Sequence, residues 1–118
     1  MPRNWQFDRF STPADLLGYE IIQEQASALG RLGRGLEAAL AKLRAFDTAH
    51  PPTKATPTER QARRALVVEA GHALWMFMVQ REACGMRDSH AVKRNYQVPQ
   101  DVQEQVGVFP ATRRAGVL

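Results

Sequence analysis

The chain reads as an all-α protein: a long antiparallel helical hairpin followed by two short C-terminal helices, expected to dimerise into a four-helix bundle. Three observations predict this. Apolar residues recur at helical spacing over two long stretches. Each stretch opens on a threonine, then a proline, with an acid three places after the threonine. Between them lies a short loop holding Pro51 and Pro52, which neither helix could contain.

Residues 1–12 form an aromatic N-terminal arm. Trp5 and Phe7 share one side of an extended segment, and with Phe10 they suggest an arm docked on the body. Helix one is expected over 13–46, with Thr12 as N-cap, Pro13 in the first turn and Asp15 closing a capping box. Phe10 and Leu16 are placed as the two residues of a hydrophobic staple. Ile22, Leu29, Leu36 and Leu43 repeat every seven residues, and Leu32, Ala39 and Phe46 follow the last three of them by three. This is a coiled-coil-like seam, and it keeps its phase across Gly30, Gly33 and Gly35. One continuous helix is therefore expected, although each interior glycine costs about 1 kcal/mol relative to alanine. A glycine there can admit the close approach of another helix, with a kink as the alternative.

Helix two is expected over 57–84, opened by Thr56, Pro57 and Glu59 and closed by Gly85 in a left-handed cap with Met86 as its hydrophobic follower. Leu66, Ala70, Ala73, Phe77 and Cys84 line one face, and Val67, Leu74 and Met78 widen it. From Ala73 to Val79 the helix is apolar on every side, more than a hairpin partner can cover. The arm, the C-terminal segment and a second subunit are expected to share that task. Leu74, Trp75, Phe77 and Met78 are the expected dimer interface. Residues 88–107 read as two short helices, the first capped by Asp88 or Ser89 and the second opened by Pro99. The whole makes one domain over 1–110, with 111–118 expected to be a disordered tail.

Composition is that of a folding chain, 44% hydrophobic and 24% charged. The N-terminus lacks the apolar core of a secretory signal, and the longest apolar run, Ala73 to Val79, is too short to span a bilayer. A single cysteine, Cys84, excludes an internal disulfide framework. A cytoplasmic location without a membrane span is expected. The net charge of +4 is concentrated between Arg31 and Arg64, where eight basic residues face three acids.

The chemical signals are sparse. Glu69-Ala-Gly-His72 is the E-x-x-H pair of carboxylate-bridged metal bundles, but a full site needs two copies and further glutamates. A Glu–His pair hydrogen-bonded or in solvent is preferred, so no metal or other cofactor is expected, with Glu69 and His72 as the candidates should one bind. Arg31, Arg34, Arg60 and Arg64 could form a phosphate-binding stripe at a basic hairpin tip, against the ordinary alternative of a solvated face. Residues 88–107 have a helix-turn-helix outline, but the second helix carries two acids and no base, a poor groove reader. Cys84 sits at a helix C-terminus, where the dipole opposes thiolate formation, and is read as packing. His50 and His90 belong to no triad, and Gly30-x-x-Gly33-x-Gly35 lacks the lysine and strand of a phosphate loop.

The stretches from Asp8 to Glu20 and from Val79 to Asp88 resemble a family of short bacterial proteins known only as a domain of unknown function. The resemblance implies a bacterial cytoplasmic protein and brings no catalytic or binding residues with it. The expected role is that of a homo-oligomeric interaction or scaffolding protein without enzymatic activity. The alternatives are a nucleic-acid-associated regulator using the basic tip and a metal-binding four-helix bundle.

Overall fold

A computed structural model describes residues 12–106. Within them the chain forms four α-helices and no strand: α1 (Pro13–Ala49), α2 (Pro57–Ala83), α3 (Ser89–Asn95) and α4 (Gln100–Gln105). The expectations placed on the aromatic arm and on the 111–118 tail lie outside the described residues. No described helix is long and apolar enough to cross a membrane.

Both long helices begin as their local sequence dictates. The Thr12 hydroxyl accepts from the Asp15 N–H while the Asp15 carboxylate accepts from the Thr12 N–H, each at 3.1 Å. Thr56 and Glu59 repeat the exchange at 3.1 and 2.9 Å, so each box satisfies a donor that a helix start leaves unpaired. α1 runs unbroken through its glycines and ends three residues later than expected. Asp47-Thr48-Ala49 contains no breaker, and the His50 N–H closes the last turn on the Phe46 carbonyl at 2.8 Å. Pro51 and Pro52 then stop it, and Pro52–Lys54 makes one 3₁₀ turn before α2.

α2 ends as its sequence indicates. Gly85 takes φ +87°, and the Met86 N–H reaches back to the Arg81 carbonyl at 2.8 Å, the bond pattern of a glycine-closed helix end. α3 ends similarly but without a glycine. Gln97 adopts φ 51°, and the Val98 N–H bonds the Lys93 carbonyl at 3.0 Å. That turn swings α4 back onto α2.

The core is built from the facing stripes of α1 and α2 and from one valine each of α3, the connecting turn and α4. Leu36, Ala39, Leu40 and Leu43 meet Val67, Ala70, Leu74 and Phe77, with Val92, Val98 and Val102 closing over them. α4 comes so near α2 at Gly71 that an added Cβ would stand 2.5 Å from the Gln105 Cβ. On α1, Gly33 leaves room for Tyr96 and Phe77, whose atoms would lie 3.0 and 3.4 Å from a Cβ there. Close approach, not a kink, is the use of that glycine.

This cover corrects the sequence reading of helix two. Leu74 is fully buried and Phe77 is 6% exposed within the single chain, because α1 and the returning C-terminal segment enclose them. Tyr96 packs edge-on against the Phe77 ring at 5.5 Å. Only Trp75 and Met78 of the four expected interface residues stay partly exposed.

Candidate functional site

Five of the nine exposed large apolar side chains among the described residues lie at the start of α1. α1 has 37 residues and α2 27, a difference of ten, or about 15 Å of helix. The heptad seam records where the partner helix ends. Leu36 and Leu43 are buried and Leu29 is half-buried, whereas Ile22, next in the same register, is 61% exposed. Around it Leu16, Leu17, Tyr19 and Ile21 are each about half exposed. Five large apolar side chains thus stand within seven positions of one projecting helix end. The sequence pattern places Ile22 in the seam and Leu16 in a staple but marks none of the five as exposed, although unequal helix lengths and a seam running beyond the shorter helix were both visible in it. The same segment, 13–30, holds Asp15, Glu20 and Glu24 and no lysine or arginine.

A groove of about 280 Å³ lies at the α2–α3 junction, lined by Trp75, Met78, Val79 and Met86 together with Arg81, Glu82, Arg87 and Ser89. Arg81 is held in place, its guanidinium 5.8 Å from the Phe77 ring centre and donating to the Asp88 carbonyl at 3.5 Å. Arg87 has no ion-pair partner among the described residues.

A larger cleft, about 560 Å³, opens at the hairpin turn between the 50–56 loop, α2 and α4. Its apolar wall includes Phe46, Pro52 and Val67, and the His50 ring stacks on Phe46 at 4.3 Å. At its edge Arg63 joins three helices, binding Asp47 with two nitrogens at 2.7 and 3.1 Å and Asp101 with a third at 2.6 Å. The two carboxylates hold the guanidinium more firmly protonated than usual. Arg60 donates to the Ala55 carbonyl and Arg64 to the Gln61 side chain. Three arginines and the three acids Glu59, Asp101 and Glu104 line the cleft, so its charges balance.

That balance bears on the arginine stripe. Arg60 and Arg64 lie by the hairpin turn, but Arg34 is fifteen residues before the end of α1 at Ala49, about 22 Å along the axis. Arg31 is farther still, and its guanidinium lies 3.9 Å from Glu24. The four do not gather at one tip, because Arg31 and Arg64 lie 33 residues apart at unequal distances from the turn. The E-x-x-H pair is likewise divided: Glu69 accepts from Lys42 at 2.8 Å, while His72 is exposed with its ring 6.5 Å from Trp75. Among the described residues no three His, Cys, Asp or Glu side chains converge on a metal-sized site. Cys84 is half-buried, its sulfur accepting from the Gln80 amide at 3.7 Å. The helix-turn-helix outline folds inward, with Val102 of α4 buried and Asp101 bound to Arg63.

In comparisons with known proteins, the model of a family of unknown function, DUF6665, matches residues 6–114. No curated protein and no solved structure matches.

Proposed function

Because the chain belongs to the DUF6665 family of unknown function, whose description carries no activity, we propose from its own geometry that it is a non-catalytic interaction protein that associates with itself through the projecting start of α1. The observation that carries this is the exposed cluster of Leu16, Leu17, Tyr19, Ile21 and Ile22. Scattered apolar side chains are ordinary on a protein surface, but five within seven positions of one helix end concentrate apolar surface there as interaction sites do. Its register favours a helical partner. Ile22 continues the seam whose other members already pack against α2, so the surface has the shape a second amphipathic helix fits. A second copy provides one, and a two-fold arrangement uses one self-complementary surface twice.

The test is sedimentation equilibrium of the full chain at micromolar concentration. A mass above the 13.2 kDa of one chain is expected. Ile22→Glu combined with Leu17→Glu should return it to one chain that still unfolds cooperatively, since both side chains are more than half exposed in the single chain. A wild-type chain that stays monomeric at tens of micromolar would sink the proposal.

A further inference from the structure

We infer that the surface each projecting α1 segment occupies is the groove at the α2–α3 junction of the second copy, so that two chains grip each other reciprocally. This deepens the self-association proposed above and rests on it. Apolar chemistry matches on the two sides. The groove presents Trp75, Met78, Val79 and Met86, with Val79 and Met86 45% and 44% exposed, and the incoming segment presents Leu16 to Ile22.

Charge matches as well. The projecting segment carries three acids and no base between residues 13 and 30. The groove lining carries Arg81 and Arg87 against one acid, Glu82. Opposite signs therefore meet when the segment enters, which selects orientation and speeds encounter. One charge on each side has no ion-pair partner among the described residues, Glu20 on the projection and Arg87 in the groove, while Glu24 lies 3.9 Å from Arg31.

Placement completes the argument. α1 projects past the end at which α2 terminates, so groove and projection lie at the same end of the molecule. A chain cannot fill its own groove with this segment, because α1 is unbroken and continues along its axis away from α2. A two-fold axis crossing that end sends each projection to the other chain's groove and satisfies both contacts at once.

Charge exchange in the full chain tests this. Glu20→Lys with Glu24→Lys reverses the projection, and Arg87→Glu reverses the groove. Asp15 and Arg81 are left alone, since one caps α1 and the other braces the α2–α3 turn. Each reversal should weaken dimerisation about tenfold or more at low salt, with melting curves checking that the variants fold. Two recoveries are then expected. A chain carrying both reversals should dimerise again, and an equimolar mixture of the two singly reversed chains should form the mixed dimer. A dimer indifferent to both reversals, or weakened without either recovery, overturns the groove assignment while leaving self-association standing. A monomeric wild type removes the reading beneath it.

Discussion

Arg63 shows how one side chain can set the geometry of this fold. Its planar fork spans the end of α1 through Asp47 and the first turn of α4 through Asp101, a task that a lysine's single ammonium cannot reproduce. Replacing Arg63 with Met should cost about 1–2 kcal/mol in urea unfolding, the low end for charged hydrogen bonds because solvent reaches the pair. Arg63→Lys should recover only part of the loss. The guanidinium's affinity for its proton is raised in the fold, so on the alkaline side the guanidinium's contribution is lost only above the ordinary arginine range. The capping boxes of Thr12 with Asp15 and Thr56 with Glu59 were legible in the sequence because their partners stand three residues apart. Arg63 was not, because its two partners lie 16 and 38 residues away, and only the folded chain brings them together.

Among the helices, the glycines separate what a local pattern reveals from what packing decides. Gly35 and Gly71 look alike in the sequence, each an interior helix position. A Cβ on Gly35 meets nothing within 4 Å, whereas one on Gly71 drives into Gln105 of α4. Gly35→Ala should therefore stabilise the fold by about 0.5–1 kcal/mol through helix propensity alone. Gly71→Ala should destabilise it by about 1–3 kcal/mol, with faster amide exchange in α4 before the hairpin opens. Opposite signs in thermal melts are the check. The existence of every described helix could be read from caps and periodicity, whereas the packed structure was needed to exclude a kink in α1 at its glycines. The burial of Leu74 and Phe77 could not, since it depends on α4 returning over α2 after the left-handed turn at Gln97, where no glycine announced it. The projecting patch escaped for the complementary reason: periodicity shows which side of a helix is apolar, not how far its cover extends.

As a whole the described helices make an elongated hairpin, with α1 alone running 37 residues, about 55 Å. Unequal helix lengths make one end of that hairpin unlike the other. At the turn, α1 and α2 support each other and Arg63 ties α4 to them; at the far end α1 extends past the last turn of α2. Isolated helices shorter than about 12–15 residues are marginal in water. The winding of these turns is thus itself a quantity that association can control: a segment partly unwound in dilute solution would become fully wound when a second chain lies against it, and folding there becomes part of binding. Diluting the protein from high to low micromolar concentration should lower helical ellipticity slightly while the hairpin stays intact. In parallel, amides of residues 16–24 should lose their protection from hydrogen exchange and those of 36–43 should keep it. Concentration-independent protection over 16–24 would mean that this end of α1 holds its shape unaided.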